Sequence, residues 1–118
     1  MESYNKQQFE QIGITIDFIQ DNHSHSAEAG TLRGLHYQLQ PMDQTKLVRV
    51  LEGAIYDVFV DIRKNSPTFG QWCGVILSSE NKRQLLVPKG FAHGFCTLVP
   101  DTQILYKVDQ YYSPAHDR

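Results

Sequence analysis

Hydrophobic positions along this chain recur with the period of a strand far more often than with that of a helix. Residues 55–62 show it best: Tyr56, Val58, Val60 and Ile62 share one face, Asp57 and Asp61 the other. Residues 46–51, 69–77, 84–87, 92–99 and 103–108 are comparable apolar runs. Turn signals separate them, among them Glu52-Gly53, Asn65-Ser66-Pro67, Ser78-Ser79-Glu80-Asn81, Pro88-Lys89-Gly90 and Pro100-Asp101. Residues 14–19, rich in β-branched and aromatic side chains, predict a further strand, and 21–30 a polar loop. Only residues 2–13 predict a helix, capped by Ser3 or Asn5, with Phe9 and Ile12 on one face and Gly13 as its stop. The pattern as a whole predicts an all-β sandwich or barrel, one domain over residues 1–118 without repeat or linker.

Candidate chemistry enters with Leu32-Arg33-Gly34-Leu35-His36-Tyr37-Gln38. In a regular strand residues three apart point to opposite faces, so Arg33 and His36 share a face only if Gly34 lets the backbone kink. That predicts a strand lining a site through a local irregularity; the plainer alternative is a surface Arg and a core His. Composition narrows the classes. A net charge of -2 gives no basic footprint for nucleic acid, and 41% hydrophobic with 20% charged residues is an ordinary folded composition. No apolar run is long enough to span a bilayer and no signal-peptide pattern opens the chain, so a cytoplasmic protein is expected. Cys73 and Cys96, both in apolar runs, are expected as buried free thiols.

Five histidines raise the question of a metal. Pro88-Lys89-Gly90-Phe91-Ala92-His93 matches the Pro-x-Gly-x-x-His turn of cupin jelly rolls, which bind metal through that His and an earlier His-x-His pair followed by a Glu. Gln38 stands where the second His of the pair would be, and no Glu follows at the expected distance. His36 and His93 alone fall short of the three or more protein ligands a divalent ion usually takes, and His23 and His25 read as solvated. No metal and no cofactor are expected. Without metal, His36, His93, Lys46 and Arg33 suit removal of a proton α to a carbonyl, which needs a base, a cation for the enolate oxygen and an acid to return the proton. Tyr106 is the candidate acid, with simple packing in its apolar strand as the alternative. Tyr111-Tyr112-Ser113-Pro114 reads as an aromatic pocket wall or as packing under a closing loop, and Asp57 and Asp61 as a satisfied or solvated strand face.

Five segments, taken together and in order, carry a resemblance. They are residues 32–38, Lys46-Leu47-Val48-Arg49-Val50, Ser66-Pro67-Thr68-Phe69-Gly70-Gln71-Trp72, Glu80-Asn81-Lys82-Arg83-Gln84-Leu85 and residues 88–95. Over nearly its whole length the chain resembles the dTDP-4-dehydrorhamnose 3,5-epimerase family, metal-free cupins of deoxysugar biosynthesis. The resemblance implies an all-β cupin-type jelly-roll barrel with one short N-terminal helix. It also implies epimerisation at C3 and C5 of a dTDP-4-keto-6-deoxyglucose-type nucleotide sugar, in dTDP-L-rhamnose biosynthesis, by a homodimer that exchanges strands across its interface. By the same resemblance His36 is the base, Lys46 stabilises the enolate oxygen, and Tyr106 returns the proton from the opposite face. Arg33 and His93 would bind the sugar and its charge; Gln20 and Asn22, with Arg33, lie near the diphosphate, Glu2 near the thymine, and Tyr112 joins the substrate-binding set. Family members run longer at both ends, so this chain is expected to lack an N-terminal strand with a nucleotide-binding Arg and a C-terminal portion with the Asp that orients the base. Asp57, Asp61 and Asp109 are the acids available to replace it. Two other readings stay open: a single-site epimerase of a related nucleotide sugar, and a non-catalytic cupin that binds one. A ketoisomerase is disfavoured by Gln38, where a second His is expected.

Overall fold

Alternation of inward and outward side chains on eight strands produces two antiparallel sheets that face each other. In a computed structural model, which describes all of residues 1–118, the first sheet has the order β1-β8-β3-β6. Its strands are β1 (Gln20–Ser26), β8 (Thr102–Val108), β3 (Lys46–Glu52) and β6 (Gln84–Val87). The second has the order β2-β7-β4-β5, from β2 (Leu32–His36), β7 (Phe91–Thr97), β4 (Ala54–Asp61) and β5 (Trp72–Ser78). Each sheet gives three side chains to the core between them: Val48, Val50 and Ile104 from the first, Ile55, Leu77 and Phe95 from the second. This is the all-β jelly-roll architecture expected, with its one short helix.

The N-terminal segment covers the outer face of the first sheet. Helix α1 (Lys6–Gln11) is shorter than the predicted 2–13, because it buries no residue and only Asn5, which accepts from the Gln8 amide at 3.0 Å, caps it. Tyr4 packs edge-on against Phe9 and Phe18, and the Lys107 ammonium sits 5.1 Å from the Tyr4 ring centre. Ile14, Ile16 and Phe18 turn half-buried sides inward from an extended segment whose one bond to the sheet runs from the Ile19 amide to the Val108 carbonyl at 2.9 Å, so the strand predicted at 14–19 does not form. The ladder instead starts at Gln20 and takes the residues read as a polar loop. All seven residues of β1 pair with β8, from Gln20↔Val108 to Ser26↔Thr102. The polar composition misleads because this strand's inner face, Gln20, Asn22, Ser24 and Ser26, is itself polar, with Ser24 lining a cavity.

Strand β4 presents the reverse of the face that hydrophobicity suggests. Asp57 and Asp61 are buried beside Ile55, whereas Tyr56 is exposed. Asp61 is not solvated but fully satisfied. Arg63 clamps it through Nε at 3.0 Å and Nη2 at 2.9 Å, its own amide donates at 2.9 Å, and the Ser66 and Thr68 hydroxyls complete the set. These donors, the guanidinium first, hold its carboxyl well below the usual carboxylate range. Neither cysteine is buried as expected: Cys73 is exposed on β5, an edge strand, and Cys96 is half-buried on the outward side of β7 beside Tyr56.

Strand β2 carries the irregularity that Gly34 allows. Its register against β7 shifts between Arg33, opposite Phe95, and His36, opposite His93, so both side chains turn to the cavity face while β2 itself stays exposed throughout. Gly34 has φ +105°, and a Cβ there would stand 2.7 Å from Gly94 Cα and 2.7 Å from the His93 carbonyl oxygen. Gly34→Ala is therefore expected to lower stability by roughly 3 kcal/mol, the cost of overpacking plus that of a positive φ, as read by urea unfolding. For Asp61 the sign of pH dependence follows from its depressed folded pKa. Its stabilisation is complete above the unfolded value near 3.8 and is lost as pH falls below it. Asp61→Asn should therefore lower the neutral-pH melting temperature and flatten its fall between about pH 4 and pH 2.

Candidate active site

Between the sheets, beside the core, lies an open cavity of about 450 Å³ to which strands of both sheets contribute. The second sheet supplies Arg33 and His36 from β2 and His93 from β7; the first supplies Lys46 from β3 and Tyr106 from β8. All five of these predicted residues meet on one cavity. Pairing explains why: His36 lies directly opposite His93, and Val48, two residues on from Lys46, lies directly opposite Tyr106. The Lys46 ammonium is 5.9 Å from the centre of the Tyr106 ring. Ser24 of β1 also lines the cavity, and Ser26 accepts from Arg33 Nε at 3.4 Å. Gln20 and Asn22 share the inward side of β1 with Ser24 and are joined by a 2.8 Å hydrogen bond.

The electrostatics of the cavity depend on burial. Burial lowers the Lys46 pKa from its ordinary value, while the charges of Asp57 and Asp117 oppose the shift. Burial likewise raises the Tyr106 hydroxyl above its ordinary range, with Arg33 opposing. A phenol so shifted keeps its proton at neutral pH, as a donor must. His93 Nε2 stands 2.7 Å from Asp57 Oδ1 with both side chains almost wholly buried. The close approach does not meet hydrogen-bond geometry, and neither Asp57 oxygen nor His93 Nε2 has another partner.

None of the three acids considered as a replacement orienter is paired with His36. Asp57 is committed to His93 and Asp61 to Arg63, while Asp109 accepts from the Thr45 amide at 2.7 Å with Lys89 at 3.7 Å. Glu2 does not line this cavity. It lies between Met1 and Ser3, which border grooves on the outer side of the first sheet, where Gln84 donates to the Ser3 carbonyl at 2.7 Å. Tyr112 is exposed on the chain's last segment and donates through its hydroxyl to Asp117 Oδ2 at 3.1 Å; that bond raises its pKa.

Sequence reasoning offers Asp57 as one of three acids for the base, whereas the structure sets it against His93; its place two residues from the core residue Ile55 on an alternating strand is the signal that it points inward. One acid is missed altogether. Asp117, whose charge reaches Lys46, carried no signal, because a chain segment without periodicity does not tell which strand it will pair with.

The set combines two imidazoles, a buried ammonium, a guanidinium and a protonated phenol around a space open to solvent. It can take a proton from carbon, bear negative charge on a neighbouring oxygen and deliver a proton from another side. Comparison with known proteins shows the family. The family model described as dTDP-4-dehydrorhamnose 3,5-epimerase matches residues 1–118. The curated dTDP-4-dehydrorhamnose 3,5-epimerase of Shigella flexneri is 56% identical over 119 residues, covering 100% of this chain and 65% of that protein. A crystal structure of the Bacillus anthracis dTDP-4-dehydrorhamnose 3,5-epimerase with TDP and PPi bound superposes with a TM-score of 0.97 at 68% identity, covering 98% of this chain and 66% of that one. A Legionella pneumophila dTDP-6-deoxy-D-glucose-3,5-epimerase in complex with dTDP-4-keto-L-rhamnose gives a TM-score of 0.93 at 56% identity, with 98% and 61% covered. The chain thus spans just under two thirds of the length of these relatives. With its full-length family match and the same fold, the chain belongs to the dTDP-4-dehydrorhamnose 3,5-epimerase family.

Proposed function

We propose that this chain epimerises C3 and C5 of a dTDP-4-keto-6-deoxyglucose-type sugar, the step that leads toward dTDP-L-rhamnose. The observation that carries the reading is the convergence of His36, Lys46 and Tyr106 on one cavity from strands of opposite sheets. Both carbons flank the C4 ketone, so either carbanion delocalises onto the ketone oxygen. His36 takes the proton, Lys46 faces the enolate oxygen, and Tyr106 returns a proton from the other side, which inverts the centre. Arg33 and His93 hold the sugar and its charge, with Gln20 and Asn22 extending the same inner face toward the diphosphate. Tyr112, outside the cavity lining and bonded to Asp117, is assigned to the sugar end by the resemblance alone. Glu2, on the outer side of its own sheet, reaches a thymine only in the site of another copy.

A second copy is also the partner we propose for the outer face of the second sheet. Unlike the first sheet, this face has no covering segment. Leu32, Leu35, Tyr56, Trp72 and Ile76 are exposed on it, and an apolar hollow of about 410 Å³ runs between Leu35, Tyr56 and Cys96. A two-fold contact brings a patch against itself, which an uncharged patch tolerates and a charged one does not. Two unpaired cysteines suit the cytoplasm, where thiols stay reduced. No helix is long and apolar enough to cross a membrane.

The reaction is tested by incubating the chain with dTDP-4-keto-6-deoxyglucose in deuterated water and following the sugar C3 and C5 protons by NMR. Both signals should disappear with the native chain, and His36→Ala should slow the loss by about 100-fold or more. Tyr106→Phe should still exchange protons but leave the configuration unchanged, because only return from the opposite side inverts the centre. Loss of one signal alone would replace the reading with a single-site epimerase. No exchange from a folded chain that binds dTDP would reduce it to a nucleotide-sugar-binding cupin. For the proposed dimer, sedimentation should give twice the chain mass, and Ile76→Glu should give the monomer; a native monomer would sink the assignment.

A further inference from the structure

Gln38 occupies the place where metal-binding cupins carry a histidine, and its carboxamide is fully engaged elsewhere. The residue is buried, 8% exposed. Its Nε2 donates to the Met42 carbonyl and, at 3.2 Å, to the Tyr111 carbonyl, while its Oε1 accepts from the Ser113 amide at 2.8 Å. Both donors and the acceptor are thus spent on the backbone, two of the three on the segment that follows β8. That segment then docks on the chain leading out of β2. Leu39 donates to the His116 carbonyl at 2.9 Å, Arg118 to the Tyr37 carbonyl at 3.0 Å, and Gln38 forms a bridge with Asp117. The strap so held carries Tyr112 and Asp117, joined to each other at 3.1 Å, and brings the Asp117 carboxylate within electrostatic reach of Lys46.

We propose that Gln38 is a positioning residue: its carboxamide fixes the 111–118 strap against β2 and thereby sets the Tyr112 hydroxyl and Asp117 carboxylate where the hexose of a bound nucleotide sugar meets them. The Gln38 carboxamide ties the start of this strap at Tyr111 and Ser113, while the backbone of residues 37 and 39 holds its far end. A glutamate in its place keeps the shape and the acceptor but, when ionised, loses both donors and faces two carbonyl oxygens. A methionine keeps the volume and loses all three bonds, leaving the Ser113 amide without that partner. The inference rests on the proposed ligand class but not on catalysis, since it concerns how the sugar is held.

The test is a double-mutant cycle on the affinity for dTDP-glucose, an unreactive hexose nucleotide, with dTDP as the control, measured by calorimetry on the native chain, Gln38→Met, Asp117→Asn and the double variant. Each single change is expected to weaken dTDP-glucose binding about tenfold. The double variant should be no weaker than the weaker single, because both remove the same placement. Binding of dTDP alone should stay within about twofold throughout, which a general loss of structure would not allow. Additive losses, an equal loss for dTDP, or no loss in Gln38→Met would overturn the proposal. Native dTDP-glucose binding without proton exchange in the keto sugar would overturn the epimerase reading and leave Gln38 to be judged by the cycle. Failure of the native chain to bind either nucleotide would overturn both.

Discussion

The close approach of β2 to β7 at Gly34 is the constraint on which the site depends. Two backbones meet there with no room for a Cβ, glycine facing glycine across Gly34 and Gly94. The register shift that accompanies the contact turns both Arg33 and His36 inward, where an unbroken strand would send one of them outside. Everything else in the cavity is delivered by regular pairing: His93 by its place opposite His36, Tyr106 by its place opposite Val48. One irregular step in an otherwise ordinary jelly roll therefore converts a packed interior into a reactive one.

Two aspartates four residues apart on β4 show how the same side chain serves two ends. Asp61 is surrounded by donors, keeps its charge cheaply and ties the turn after β4 to the sheet. Asp57, equally buried, has only the edge of the His93 ring. An incompletely satisfied buried acid is costly, and across the sandwich its charge acts on an ammonium whose pKa burial lowers. Asp57 and His93 thus leave an unbalanced pair beside the cavity, whereas the Asp61 cluster is closed by its own donors.

Much of this was legible in the sequence. Turn residues located six of the eight strands, and Gly34 announced the kink that places Arg33 and His36 together. The Pro88-to-His93 turn pointed to the jelly roll, and motif order to the family. The failures share a physical cause. β1 looks like a loop because its inner side chains are polar, so burial of apolar groups, the basis of periodicity reading, is absent there. β4 appears inverted because its apolar outer face is left bare by its own chain, whereas Asp57 and Asp61 go inside. Asp117 is placed by long-range pairing with residues 37–39, which no local pattern encodes.

The sheet order has a consequence for how the molecule comes to exist. β8 lies between β1 and β3, and β7 between β2 and β4, so in each sheet the strand that joins the early ones is made late. Until residues 91–108 emerge, β1 and β3 have no common neighbour, and β2 has no partner at all. Most contacts therefore join distant parts of the chain, a topology that folds slowly and waits until residues 91–108 are available. His93 and Tyr106 sit on those two late strands. The cavity is completed by the same event that completes the sheets, and no partial fold of this chain carries it.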